Sequence, residues 1–436
     1  MMKFGGAGLV DGPAVARVCE LVAAEAHTVV VVSAHAGVTS QLESVARAAA
    51  AGTLELRALR IRHKSLLAEL QLDPELLDRL LAELGQVLYS ISERRRIEPE
   101  ELDFVLSFGE RMSARIVAAA LRAGGLPATP VDAFDLGLTT DSCHGHARPL
   151  PGFEESVQRS LQEVPGIPVV TGFLAKDPRG NLTTLGRDGS DLTAALVARA
   201  LGAQRLVLWK CVPGLMSADP AVVPEARVLA GLSLHEAAAL AFHGARVLHA
   251  STLEPVLDSG VRLEMKDVAH PEAPGSVLDD RPVESRPLAV TGHASLAGLR
   301  IASAGGDVPA TLFPLMHAHH VSPRSLHVDS DGIELFAPRT AGFEILRREL
   351  GDRAAELDEA ASVVVVGGAR AGAGARALET LAGAGIEPRR AHLVTDGLSQ
   401  TFLVRPEERD PAMRLLHAAL CVPESVARTA GGSRRA

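Results

Sequence analysis

The stretch TTLGRDGSDL, Thr183 to Leu192, sets an arginine, two glycines, a serine and two aspartates on what reads as a tight turn entering a helix. Gly186 and Gly189 permit backbone angles and close approaches that a side chain forbids. Ser190 or Asp191 is expected to cap a helix whose apolar stripe starts with Leu192, Ala195 and Leu196. The free amides and positive dipole end of such a helix favour an anion, and the Arg187 guanidinium can grip a carboxylate or phosphate through two parallel hydrogen bonds. Taken alone, the string also fits a plain surface turn, so its meaning depends on its surroundings.

Those surroundings alternate short apolar runs with helical spacing. MMKFGG is a brief strand ending in glycines, Pro13 to Ala26 has helical periodicity, and TVVVVSA from Thr28 reads as a buried strand before another small-residue turn. Amphipathic helices are expected between Leu54 and Leu121, with SERRRIEPEE as a charged, solvated connection. Strands return at Ala128–Val131, Ile167–Val170, Leu206–Trp209 and Val261–Met265. This βαβ pattern predicts a mostly parallel sheet covered by helices. His270 to Pro287 is rich in proline, glycine and charge and marks a boundary. Beyond it, Ser362–Val366, Ala373–Ala384, Arg390–Thr395, Gln400–Val404 and Pro411–Leu420 give strand, helix, strand, strand, helix. A weaker copy precedes it, with strands near 299–302, 325–328 and 333–337 and helices near 309–317 and 342–350, so two βαββαβ-like modules are expected.

Composition narrows the function. A chain of 436 residues exceeds the size of one hydrophobic core, so two or three domains are expected. Residues are 47% hydrophobic but only 3% aromatic, and the net charge is -9, which suits helices packed on a sheet and argues against nucleic acid. Cys19, Cys143, Cys211 and Cys421 lie far apart without CxxC spacing, excluding a zinc ribbon or disulfide framework and fitting a reducing cytoplasm. No apolar run reaches membrane-spanning length.

Lys3 at the end of the first strand is followed by Gly5 and Gly6, whose amides can approach phosphate oxygens, and SAHAGVT (Ser33–Thr39) places small residues and hydroxyls after the second strand. In an open parallel sheet both loops open on the same edge. LSFGERMSAR (Leu106–Arg115) places Glu110 and Arg111 at an expected helix start. Together KFGG, VVVVSAHAGVT, LSFGERMSAR, TPVDAFDLGLTTDS, PVVTGF, TTLGRDGSDLTAALVARALGA, SADPAVVPEARVL and HGARVLHASTLEPV closely resemble the aspartokinases, in order and over nearly the whole chain. The resemblance implies an amino-acid kinase fold, a three-layer α/β/α sandwich over residues 1–282, then tandem ACT modules over 283–428 and a disordered tail, 429–436. It further implies transfer of the γ-phosphoryl of ATP, with Mg²⁺, to the side chain of L-aspartate. By that resemblance Lys3 holds the transferred phosphate, Gly5 and Gly6 cradle it, and Asp191 positions Lys3. Glu110 takes the substrate ammonium and Arg187 its α-carboxylate, with Ser33, Thr39 and Ser190 as hydrogen-bonding partners. The nucleotide falls to Lys210, Cys211, Gly214, Met216 and Arg246. The ACT modules imply an amino-acid effector such as lysine or threonine and a homodimer or larger assembly.

The chain departs from the family pattern KFGGTS at Ala7 and Gly8, and from GRGGSD at Asp188. Lys210 and Cys211 stand where Thr-Asp is usual, Met216 replaces an aromatic residue, Ala221 an arginine and Arg246 a lysine. These changes bear on nucleotide affinity, and Lys210 offers a replacement cation. A catalytically weak kinase-like sensor, or a kinase for another acidic amino acid, is the alternative. VVVVGGARAGAGARA carries a dinucleotide-like GxGxxA with Asp396 beyond it, but too few residues follow for a second nucleotide-binding half. CHGHARP and HAHH lack the full ligand set of a zinc centre, so no metal site is expected from them.

Overall fold

The expected N-terminal strand forms as β1 (Met2–Phe4), followed by α1 (Gly12–Ala23), β2 (Val30–Val32), α2 (Val38–Ala50), α3 (Arg57–Glu69), α4 (Asp78–Arg94) and α5 (Pro99–Ala123). Next come β3 (Ala128–Val131), α6 (Glu154–Gln162), β4 (Ile167–Thr171), the hairpin β5 (Leu174–Lys176) and β6 (Leu182–Thr184), α7 (Gly189–Ala200) and β7 (Arg205–Lys210). The structure is a computed structural model describing residues 1–25, 28–245, 247–282, 287–302, 308–368, 372–393 and 398–421. After β7 come β8 (Gly231–Ser233), α8 (Leu234–Phe242), α9 (Ala250–Leu253), β9 (Arg262–Asp267) and β10 (Ser276–Asp279). The chain divides into two compact units, Met1–Leu215 with Leu248–Asp280, and Met216–Val247 with Arg281–Ala436. Residues 216–247, expected to lie with everything before 282, therefore group with the C-terminal sheets.

In the first unit the strands run in the order β3-β4-β2-β1-β7-β9-β10, parallel except for β10, which is antiparallel to β9. Side chains alternate across β1: Met2 and Phe4 enter the core that α1, α2, α4 and α5 share with the sheet, so Lys3 between them faces the other way, toward α7. That alternation places a lysine inside the protein.

Two expectations are corrected here. Glu110 does not start a helix but sits mid-way along the 25-residue α5, which is opened by a Glu98–Glu101 capping box. Gly109 looks like a helix break, yet a Cβ there would lie 2.8 Å from the Ala34 Cβ. It is glycine because the loop after β2 packs against the helix at that point. The charged SERRRIEPEE stretch is mostly helical: Ser92–Arg94 finish α4, Arg95 turns the chain with φ 53°, and Pro99 opens α5. No helix among the described residues is long and apolar enough to cross a membrane.

The second unit contains β11 (Pro287–Thr291), β12 (Leu296–Ala302), α10 (Val308–Ala318), β13 (Ser325–Asp329), β14 (Gly332–Ala337), α11 (Ala341–Leu350), β15 (Ala354–Gly367), α12 (Ala373–Gly383), β16 (Arg390–Leu393), β17 (Ser399–Val404) and α13 (Arg409–Leu416). Two βαββαβ modules are present, and they are nested rather than sequential. β12 and residues 354–360 of β15 complete one sheet, β13-β14-β12-β15. Residues 361–367 of the same strand pair with β17 and with β11, so the second module takes its outer strand from before the first. Each module has its own core, one around Leu299, Leu312 and Phe343, the other around Val363, Leu381 and Phe402. The glycine-rich turn at 369–371, Asp396 and the tail 429–436 lie outside the described residues.

Candidate active site

The segments following β1, β2, β4 and β7 converge on one cavity of about 860 Å³ in the first unit. This is the strand-end edge where open parallel sheets collect ligands. Gly6 is required by this convergence, since a Cβ on it would lie 2.6 Å from the Ala34 carbonyl oxygen.

The electrostatic centre is Asp191, 1% exposed in the first turn of α7. Its Oδ1 lies 2.5 Å from the Lys3 Nζ and its Oδ2 pairs with the Lys210 Nζ, so one carboxylate carries two ammoniums. Burial alone raises the Asp191 carboxyl, but the two lysines outweigh it and hold the pKa below the ordinary range. Burial lowers the Lys3 pKa, Lys210 adds to that, and Asp191 opposes both. The Lys3–Asp191–Lys210 group has one ammonium more than it has carboxylates, a natural seat for additional anionic oxygen in the cavity.

Glu110 faces the same space from α5. Its Oε1 accepts a hydrogen bond from the Ala34 amide at 3.1 Å, while Oε2 is buried without a hydrogen-bonding partner among the described residues. Burial pushes its pKa up from 4.5 to about 8, against the Ala34 hydrogen bond and the Lys3 charge. The folded chain thus holds a proton that the unfolded chain releases near pH 4.5. Its contribution to stability is therefore full below about pH 4.5 and declines as the pH rises toward 8, by up to about 1.4 kcal/mol per pH unit. In urea titrations at pH 6 and pH 8.5, Glu110→Gln should remove this decline, gaining stability relative to the parent chain at the higher pH. An equal offset at both values contradicts the assignment.

The remaining expected contacts divide. Ser33, Thr39, Ser190, Lys210, Cys211, Gly5 and Gly6 all line the cavity with Lys3 and Glu110. Arg187 lines it from an extended position, with a 79% exposed side chain and an ion pair to Asp188 at 3.9 Å. Asp188, not Ser190 or Asp191, occupies the N-cap position of α7, with φ 54° and no side-chain cap bond. The left-handed turn there swings Ser190 and Asp191 into the helix, where their side chains face inward instead of capping. Gly214 lies in the first unit outside the cavity lining, Met216 belongs to the second unit, and Arg246 lies outside the described residues.

Residues 1–267 match the model of the amino acid kinase family. The chain belongs to that family. Among curated members it is 33% identical over 292 residues to aspartokinase 1, chloroplastic, of Arabidopsis thaliana, covering 64% of this chain and 51% of that protein. It is 32% identical over 296 residues to lysine-sensitive aspartokinase 3 of Escherichia coli, covering 66% of this chain and 65% of that one. The chain thus spans about half the length of the plant relatives it matches. The crystal structure of E. coli aspartokinase III in complex with aspartate and ADP superposes with a TM-score of 0.82 at 27% identity, covering 96% of this chain and 98% of the other. The same enzyme with lysine and aspartate gives 0.75 at 28% identity.

This member of the amino acid kinase family also carries a buried polar group that the sequence did not single out. Asp103, two helical turns before Glu110 on α5 and 1% exposed, accepts hydrogen bonds from the Thr184 hydroxyl at 2.6 Å, the Thr184 amide at 3.1 Å, the Gly145 amide at 3.0 Å and the His144 Nδ1 at 2.9 Å. The seven-residue spacing from Asp103 to Glu110 was the available signal. CHGHARP is therefore a turn bound to α5 through His144 and Gly145. Among the described residues no cluster of three or more histidines, cysteines or carboxylates is arranged to hold a metal ion.

Proposed function

We propose that this chain is an aspartate kinase, transferring the γ-phosphoryl group of ATP to the side-chain carboxylate of L-aspartate to give 4-phospho-L-aspartate and ADP. The observation that carries this reading is the Lys3–Asp191–Lys210 group, placed in one cavity with the extended Arg187 and a Glu110 oxygen that has no hydrogen-bonding partner among the described residues. The E. coli enzyme seen with aspartate and ADP supports it.

The chemistry asks little of acid–base groups. An ionised carboxylate is already a nucleophile, and the obstacle is bringing it against a polyanion. Glu110 binds the substrate ammonium and Arg187 its α-carboxylate, with Ser33, Thr39 and Ser190 hydrogen-bonding around them, which aims the side-chain carboxylate at the phosphate. A carboxylate oxygen forms the new bond to the γ-phosphorus as the bond to the β-phosphate oxygen breaks, and ADP leaves with that electron pair. The Lys3 ammonium, fixed by Asp191, offsets charge on the phosphoryl oxygens while the Gly5 and Gly6 amides cradle them. Lys210, next to Cys211, takes the position of a second phosphate cation. Mg²⁺ bound with the triphosphate would neutralise part of its charge.

Lys210→Met tests the nucleotide side. It keeps the stem but removes one of the two ammoniums, so the KM for ATP should rise about tenfold while that for aspartate changes little. A variant with unaltered ATP kinetics places Lys210 outside the nucleotide site. The reading as a whole is tested by ADP release with MgATP and L-aspartate, L-glutamate or their N-acetyl forms. Turnover restricted to L-aspartate supports it, and none with any of the four contradicts it. We assign the nested C-terminal modules to binding of an amino-acid effector, lysine being the first to test because it is the ligand of the second E. coli complex. We also expect a homodimer or larger assembly, measurable by light scattering.

A further inference from the structure

We infer that Asp103 is a positioning residue for the amino-acid half of the site, fixing the Thr184–Ser190 segment and the His144–Gly145 turn at a set distance from Glu110. The inference rests on the proposed function and concerns a group to which that function assigns no role. Asp103 joins α5 to two stretches of chain that are remote in sequence, the 144–145 turn at separations of 41 and 42 residues and Thr184 at 81. All of these border the substrate space: Asp103, His144, Gly145 and Thr184 line the cavity, and Thr184 lies three residues before Arg187.

The geometry makes this link stiff. Both Asp103 oxygens are used, by the Thr184 hydroxyl and the Gly145 amide on one side and by His144, Gly145 and the Thr184 amide on the other. Charge-assisted bonds inside a protein are short and directional, so they fix the separation of the segments they join. The His144–Gly145 turn is in turn pressed against the substrate loop, because a Cβ on Gly186 would lie 2.8 Å from the His146 Nδ1 and 3.1 Å from the Gly145 oxygen. Glu110 and Asp103 share α5, so the ammonium-binding carboxylate and the carboxylate-binding arginine are registered to each other through Asp103. Asp103 itself touches no reacting atom.

The two ammoniums, Lys3 and Lys210, reach the cavity by β1 and β7, outside the segments that Asp103 bonds. Loss of the Asp103 link should therefore loosen amino-acid binding much more than nucleotide binding. Asp103→Ala is expected to raise the KM for L-aspartate at least tenfold, with the KM for ATP within twofold of the parent. Asp103→Asn should recover most of the loss, since an amide oxygen still accepts from His144 and both backbone amides while the Thr184 hydroxyl turns to accept from the new amine. Thr184→Val removes one bond only and should raise the aspartate KM about threefold, which keeps the test open if the alanine variant does not fold. A parallel rise in both KM values, or none, overturns the inference. Hydrogen exchange of the amides between 184 and 190 reads the same link without substrate. Faster exchange confined to that segment in Thr184→Val supports it and unchanged exchange overturns it, even if the parent chain phosphorylates no amino acid and the proposed function fails.

Discussion

Replacing Lys3 with methionine should lower kcat for phosphoryl transfer about a thousandfold, the size expected when a preorganised charge is removed from a catalytic site. The fold should survive the change. Asp191 keeps the Lys210 ammonium as partner, and the methionine side chain occupies the space of the lysine stem on the α7 side of the strand. The reverse substitution behaves differently: Asp191→Leu leaves two ammoniums facing each other in a buried site, with an expected stability loss of about 3–5 kcal/mol. Thermal melting of the two variants beside their kcat values separates the roles. An inactive Lys3→Met chain that melts like the parent marks Lys3 as chemical. A Lys3→Met chain with parental kcat removes it from the reaction.

Glu110→Gln carries the second large effect. The buried Oε2, without a hydrogen-bonding partner among the described residues, is complementary to an ammonium, and an amide there gives a weaker, uncharged contact. The KM for L-aspartate should rise about a hundredfold with a smaller fall in kcat. The raised pKa adds a pH signature. Because Glu110 must be ionised to hold an ammonium, aspartate affinity in the parent chain should improve as the pH rises toward about 8, and that dependence should vanish in the variant. Steady-state kinetics between pH 6 and 9 measure both. A variant with an unchanged aspartate KM would assign the substrate ammonium to another group.

Much of this was legible in the chain. The strands that carry Lys3 and Lys210 and the one that precedes Ser33 were visible as apolar runs ending in small or polar residues, and parallel order alone brings such ends to one edge. What the sequence concealed has identifiable causes. Glu110 and Arg111 read as a helix start because they follow an apolar approach and a glycine, whereas Gly109 answers the close Ala34 contact inside a continuous helix. The left-handed Asp188 moved the cap of α7 by two residues, a conformation that an aspartate tolerates without any local sign. Asp103 was missed because its partners at 144 and 184 are distant along the chain. The nesting of the C-terminal modules was hidden in β15, where Glu356, Asp358 and Glu359 make the first half of a long strand look like a polar connection. Its other half is a run of buried valines, which is why the second module stood out and the first did not.

The central claim is that one cavity lets a dicarboxylic amino acid and a nucleotide triphosphate react by setting two ammoniums on a single buried carboxylate. Hydroxylamine trapping tests it most directly, because an acyl phosphate made from aspartate is captured as the hydroxamate. The parent chain with MgATP and L-aspartate should form hydroxamate in equal amount to ADP, and Lys3→Met should form about a thousandth as much. ADP release without hydroxamate, or undiminished trapping by Lys3→Met, would contradict the account.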